Sequence, residues 1–254
     1  MELFDTHCHL DVTAFDTDRG EVLANARARG VRQMLVPAID AAGWDGLQTL
    51  CAGEKGLYPA LGLHPMFLAH HQPGHVAALE RRVGESRPLA IGEIGLDFQQ
   101  RDADRDAQIR LFEAQLVIAR DAGLPVVLHV RKAHDAVLNC LQRIPVAGGT
   151  VHAFSGSEQQ AQRYLDLGFK LGFGGVLTWP EARRVHQLAT RLPATALVLE
   201  TDAPDMAVQA HRGGRNSPEY LPEILSALAR LREQAPGVLA RQTTDNAREA
   251  FGLA

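Results

Sequence analysis

The chain has 254 residues and a formal net charge of −4, which excludes gripping nucleic acid through an extended basic surface, since that mode needs clustered Lys and Arg. With 46% hydrophobic and 22% charged residues it sits at the ordinary globular average, which excludes a disordered or fibrous chain. No run approaches a membrane-spanning length, and three widely spaced cysteines, Cys8, Cys51 and Cys140, without a basic leader segment, lead us to expect a cytoplasmic protein.

Short apolar runs bounded by turn signals predict eight strands, at 3–6, 31–37, 57–63, 89–93, 125–130, 149–153, 169–174 and 196–200. Each is apolar on both faces, as strands of a covered parallel sheet are. Helical patterns lie between them at 18–29, 74–83, 104–122, 133–143, 158–167 and 180–190, and 220–232 and 238–251 close the chain. The clearest is 104–122, where Ile109, Phe112, Leu116 and Ala119 recur at helical spacing and Gly123-Leu124-Pro125 stops the helix. Ser155 to Glu158 and Thr178 to Glu181 read as capping boxes, and Ser217-Pro218 as a cap followed by a first-turn proline. Such βα repeats over about 250 residues are the content of a (β/α)8 TIM-type barrel. No Pro, Gly or Ser linker divides residues 1–254, which predicts one domain; an open doubly wound sheet is the alternative.

Residues able to bind metal sit at the ends of these strands, where barrel enzymes place their chemistry. His7 and His9 follow the first strand, and a period of two turns both imidazoles to one side while Cys8 packs elsewhere. Glu93 closes the fourth predicted strand in 90-AIGEIGLD-97, where a buried carboxylate needs a partner or a cation. His129 and His152 end the fifth and sixth, and Glu200 and Asp202 the eighth. Each alone has a plain alternative, a hydrogen-bonded structural histidine or a helix-capping aspartate. Their coincidence at one barrel mouth points to a metal site. His70, His71 and His75 read as a solvated loop, Gly172 to Gly175 as a turn that lets substrate approach, and Asp5 and Asp11 as neighbours able to orient the imidazoles.

Taken in order, 5-DTHCHLD-11, 62-GLHP-65, 92-GEIGLD-97, 122-AGLPVVLHVRKA-133, 152-HAFSG-156, 200-ETDAP-204 and 212-RGGRNSP-218 resemble the TatD family of metal-dependent hydrolases. The resemblance implies two divalent ions, drawn from zinc, manganese, magnesium, iron or nickel. It implies that His7 and His9 bind one ion, that Glu93 bridges to the second, and that His129 and His152 bind the second. Asp202 would bind the first ion and serve as the base for the attacking water. His64 would lie near the substrate, and Arg212, Arg215 and Asn216 on a loop closing around the mouth. With Arg131 and Lys132, these arginines favour a phosphate. Two segments depart from the family pattern: 202-DAPDMAVQAHRGG-214, which should shape the substrate pocket, and 97-DFQQRD-102, with one aromatic in place of a pair.

The expected activity is a deoxyribonuclease or other phosphodiesterase, as the resemblance implies. The acidic charge keeps open a small phosphoester, carboxylic ester or amide, including an aminoacyl ester. A third reading is a binding protein stapled by structural metal. The expected partners are DNA or a small ester as substrate, with no membrane and no stable protein partner, in a monomer.

Overall fold

The computed structural model describes residues 2–99 and 104–253; residues 100–102 of the second departing segment lie outside them. Eight parallel strands hydrogen-bond in chain order: β1 (Leu3–Asp5), β2 (Val31–Pro37), β3 (Leu57–Leu61), β4 (Ala90–Asp97), β5 (Val126–Arg131), β6 (Gly149–Val151), β7 (Phe169–Phe173) and β8 (Leu197–Leu199). The helices between them are α1 (Arg19–Ala28), α2 (Trp44–Gly53), α3 (His75–Ser86), α4 (Arg105–Ala122), α5 (His134–Arg143), α6 (Glu158–Asp166) and α7 (Arg183–Arg191), followed by α8 (Leu221–Arg232) and α9 (Pro236–Ala250). Sequential strand order is the topology of the expected (β/α)8 barrel, and it sets aside the doubly wound sheet, whose order reverses at a switch point.

The two-faced apolarity of the strands follows from two separate cores. Phe4, Leu35, Ala60, Ala90, Val127 and Val198 point into the barrel, where Ala247, Ala250 and Phe251 from the end of α9 close the cluster. Their neighbours along the strands, among them Leu3, Met34, Val36, Leu61, Ile91 and Val126, pack outward against the helices. A single-residue register slip would exchange these two sets.

The barrel closes between its first and last strands. Thr6 N–H donates to the Leu199 carbonyl at 3.0 Å, Asp202 N–H to His7 O at 2.8 Å, and His9 N–H to Ala203 O at 2.8 Å. Beneath them the buried Asp5 carboxylate accepts from Thr201 N–H at 2.9 Å and from the Thr201 hydroxyl at 2.5 Å. The seam therefore aligns the backbone segments that carry His7, His9 and Asp202.

Several local expectations shift. The fourth strand runs on to Asp97, so Glu93 lies inside it, at a break in the β4–β5 register between Ile91 and Ile94. Helix α2 had no sequence prediction, although Trp44, Leu47 and Cys51, its buried residues, recur at helical spacing. The capping box at α6 is Ser157 with Gln160 rather than Ser155 with Glu158. Thr178 caps no helix: its hydroxyl accepts from Gln209 N–H at 2.7 Å, and α7 starts only at Arg183.

Helix α4 carries two buried glutamines on its barrel face, two turns apart. Gln108 brackets Asp97, accepting from its N–H at 2.8 Å and donating to its carbonyl at 3.0 Å. Gln115 brackets Leu63 in the same way, at 2.7 and 3.1 Å. Each glutamine satisfies backbone groups that leave the ladder where a strand ends, a loss the fold would otherwise carry unpaired. Gln115→Leu, close in volume, should strand both groups of Leu63 and lower unfolding free energy by roughly 1–3 kcal/mol for each. A denaturant melt with unchanged stability would refute this bracing role.

Candidate metal centre at the barrel mouth

The strand ends converge on Glu93, which is 2% exposed. Its Oε2 lies 3.1 Å from His7 Nε2 and 3.6 Å from His9 Nε2. Its Oε1 lies 3.2 Å from His64 Nε2 and 2.9 Å from His129 Nδ1. Asp202 faces the same space, with Oδ1 3.8 Å from His7 Nε2 and 3.7 Å from His9 Nε2, and Oδ2 3.5 Å from His152 Nε2. Asp202 takes a left-handed backbone conformation, φ 59°, which aspartate tolerates better than most residues. Three groupings of donor atoms are close enough to share an ion: His7, Glu93 and His152; His7, His9 and Asp202; His64, Glu93 and His129. His129 and His152 thus both reach toward the centre, but from different groupings.

Hydrogen bonding separates the imidazoles further. His9 Nδ1 lies 3.1 Å from the Pro37 carbonyl, which can only accept, so the neutral ring carries its proton there and its Nε2 is bare. That bare nitrogen lies 3.2 Å from His7 Nε2. His64 is arranged the opposite way. Its Nδ1 accepts from Met66 N–H at 3.1 Å, so in the neutral ring Nε2 is the donor, aimed at Glu93. His64 is therefore built as a hydrogen-bond donor, although its distance alone would admit it as a ligand.

The electrostatics follow from this crowding. Burial pushes the Glu93 carboxyl up, but the imidazoles of His64, His7 and His129 outweigh it and hold Glu93 well below the usual carboxylate range. Asp202 is likewise drawn down to about 2, with burial opposed by His152, His7 and His9. His7 and His64 are lowered, chiefly by burial. His129 and His152 are raised, because Asp97 and Glu93 around the first, and Glu200 and Asp202 around the second, overcome burial. A mouth of ionised carboxylates and converging imidazole nitrogens suits a divalent cation: it offers oxygen and nitrogen donors with negative charge to neutralise.

Beside these residues opens a cavity of about 250 Å³, bounded by His129, His152 and Asp202 and otherwise walled largely by Phe154, Phe173, Val176, Val185 and Met206. Arg131, at the end of β5, stands at its rim. Met206 belongs to the departing segment, so that segment does line the cavity. Arg212 and Arg215 are directed elsewhere. Arg212 pairs with Glu181 and stacks 4.3 Å over Trp179, whereas Arg215 binds Asp18 at 2.9 Å and lies 4.6 Å over Phe15. Salt-bridged and stacked, they secure the loop after β8 to its neighbours. Asn216 braces the same loop from inside, donating to Thr201 O at 2.8 Å and Asp205 O at 2.7 Å.

Two buried carboxylates stand behind the imidazoles: Asp97, which the sequence did not single out, and Glu200, expected among the residues able to bind metal. Asp97 Oδ2 lies 3.2 Å from His129 Nε2. Glu200 Oε1 lies 3.0 Å from His152 Nδ1 and accepts from Ala153 N–H at 2.6 Å. The signal for Glu200 was Gly172, which lies inside β7 rather than in a turn: a Cβ there would run into the Glu200 carboxylate.

Comparison with known proteins places this geometry. The family model described as TatD related DNase matches residues 4–252. A protein of Escherichia coli K12 called uncharacterized metal-dependent hydrolase YjjV is 38% identical over 253 residues, covering 98% of this chain and 97% of the relative. The 3'-5' ssDNA/RNA exonuclease TatD of Klebsiella pneumoniae is 34% identical over 260 residues, covering 99% of this chain and 98% of the relative. The crystal structure of the E. coli K12 TatD homologue YjjV superposes with a TM-score of 0.94 at 36% identity, over 99% of this chain and 98% of that one.

Gly172→Ala should place a methyl group against the Glu200 carboxylate and disturb its contacts with Ala153 N–H and His152, costing roughly 1–3 kcal/mol. A melting temperature equal to that of the unsubstituted protein would show that Glu200 is not confined as described.

Proposed function

Because the chain belongs to the TatD related DNase family of metal-dependent hydrolases, we propose that it cleaves phosphodiester bonds of DNA with water activated at a two-ion centre. The observation that carries this reading is the convergence of His7, His9, Glu93 and Asp202 with the raised imidazoles of His129 and His152 on one open mouth. His7, His9 and Asp202 would hold one ion and His129 and His152 the other, with the two oxygens of Glu93 between them. Four imidazoles favour zinc, manganese or iron over magnesium. Bound there, two divalent ions supply Lewis acidity that makes a water nucleophilic and neutralises charge on the phosphoryl oxygens.

The protein's own groups supply the rest. Asp202, ionised and at the edge of the cavity, receives the proton of the attacking water. His64 donates through Nε2 and holds the Glu93 carboxylate in place. Arg131 offers a guanidinium at the rim for a substrate phosphate, and the apolar wall of Phe154, Phe173 and Met206 accommodates the neighbouring base. The salt bridges and ring stacking of Arg212 and Arg215 support a role for them as anchors of the loop after β8. The exposed large apolar side chains among the described residues, Met66 and Val238, lie on separate elements, which supports a single-domain monomer.

A small phosphoester or carboxylic ester is the second reading. It is favoured by the cavity size and by Arg131, the only guanidinium or ammonium group lining it among the described residues. The two readings separate in one assay. Protein stripped of metal and restored with Mn²⁺, Mg²⁺ or Zn²⁺ should cleave single-stranded DNA, and Asp202→Asn should lower turnover roughly 10²–10⁴-fold. Arg131→Ala should raise KM for DNA. Cleavage of small esters but not of DNA would select the second reading, and full activity after metal removal would refute both.

Metal uptake should also be linked to protons. The carboxylates around His129 and His152 raise both imidazoles, so a proton competes with an ion for them, whereas burial lowers His7. Calorimetry of Zn²⁺ binding in buffers of different ionisation enthalpy should show on the order of one proton released per ion, with affinity falling as pH falls. An affinity that does not change with pH would refute this linkage.

A further inference from the structure

Asp97 is buried and belongs to none of the ion-sized groupings, yet its carboxylate meets an imidazole that points into them. His129 has a carboxylate at each ring nitrogen, Glu93 Oε1 at 2.9 Å from Nδ1 and Asp97 Oδ2 at 3.2 Å from Nε2. Protonated, the ring can donate to both, but as a ligand it must be neutral, with one N–H and one lone pair, so it then donates to only one of them. The other nitrogen then faces an anion with its lone pair, a contact that is favourable only with a cation between the two. Glu93 is also approached by His7, His9 and His64, so the side of His129 toward Glu93 is the side of the ion. Asp97 lies on the opposite side and is fixed there. Its Oδ1 accepts from Gln99 N–H at 2.9 Å, and Gln108 of α4 brackets its backbone on both sides.

We propose that Asp97 is a positioning residue that accepts a hydrogen bond from His129 Nε2–H and thereby presents Nδ1 as the metal-binding nitrogen. This rests on the two-ion reading above. The same construction recurs across the mouth. The Pro37 carbonyl fixes the proton of His9 on Nδ1, and Glu200 approaches His152 Nδ1 while Nε2 faces Asp202. The Glu200 contact lies at ion-pair distance without hydrogen-bond alignment, so Asp97 is the clearer instance. Carboxylate–imidazole–metal relays of this kind set tautomer and ring orientation, and losing the carboxylate typically weakens metal binding by roughly 10–100-fold.

Two measurements test it. In the zinc-loaded protein, long-range proton–nitrogen NMR of ¹⁵N-labelled histidine should find the His129 proton on Nε2; a proton on Nδ1 overturns the proposal without any variant. Zinc titration should then show Asp97→Asn binding one equivalent roughly 10–100-fold more weakly while the other is unaffected. Unchanged affinity in that variant, with His129→Ala abolishing the same equivalent, overturns the role of Asp97 alone. Unchanged zinc binding in His129→Ala overturns the two-ion reading itself. Complete loss of the equivalent in Asp97→Asn, with the His129 proton still on Nε2 in the remaining complex, would make Asp97 a ligand and also overturn the proposal.

Discussion

An ionised carboxylate cut off from water is costly unless opposite charge or hydrogen-bond donors surround it, and Glu93 imposes that requirement on the whole barrel mouth. The strand that carries it breaks register between Ile91 and Ile94, and Glu93 N–H bonds instead to Ala38 O, just beyond β2, at 3.0 Å. The imidazoles that answer it come from beyond β1 and β3 and from β5. Their arrangement requires backbones to touch. A Cβ on Gly62 would lie 2.7 Å from the Gly92 carbonyl carbon and 2.9 Å from Glu93 O, so the step between β3 and β4 tolerates no side chain. Pairing one anion thus dictates strand register, glycine placement and the orientation of the histidines.

The remaining scaffold holds this cluster from outside. His7 and Asp202 stand at opposite ends of the chain, and only the seam brings them together. The Asp5 carboxylate joins both sides of that seam, and burial raises it to about 7 even though Thr201 and His7 donate to it. Helix α4 steadies the other side of the mouth through its two glutamines, which bracket the residues at the end of β4 and just before His64. These bonds involve no substrate and no metal, but they fix the backbone from which the chemistry projects, as a preorganised site requires.

Much of this was legible in the sequence because it depends on period and order. Alternating runs of strand and helix specify the barrel, and HxH spacing turns His7 and His9 to one side. What stayed hidden depends on neighbours distant in sequence. Glu93 read as the end of a strand because the apolar run stops there, whereas the strand continues past a register break to Asp97. Asp97 and Glu200 look like any carboxylate after an apolar run until His129 and His152 are seen beside them. Arg212 and Arg215 read as phosphate ligands because a guanidinium in a mouth loop usually faces the mouth, but Glu181 and Asp18 are closer partners. The cap at α6 was displaced by two residues, since Ser155 and Ser157 offer the same chemistry and only helix geometry chooses between them.

The charge of the mouth bears on how a polyanion could enter it. Glu93, Asp97 and Asp202 are all held below the usual carboxylate range, and the chain carries a net negative charge. The raised imidazoles of His129 and His152 and the Arg131 guanidinium offset these carboxylates, so the metal-free mouth offers phosphate little net attraction. On the proposed reading, divalent ions therefore do more than activate water: they add positive charge where the phosphate docks, and binding of metal and of an anionic substrate must each strengthen the other. The protein then needs no basic surface to find its substrate, because attraction is confined to the place where the bond is broken. The same confinement accounts for an acidic chain with the resemblance of a nuclease, two features that conflict only if affinity is assumed to come from the surface as a whole.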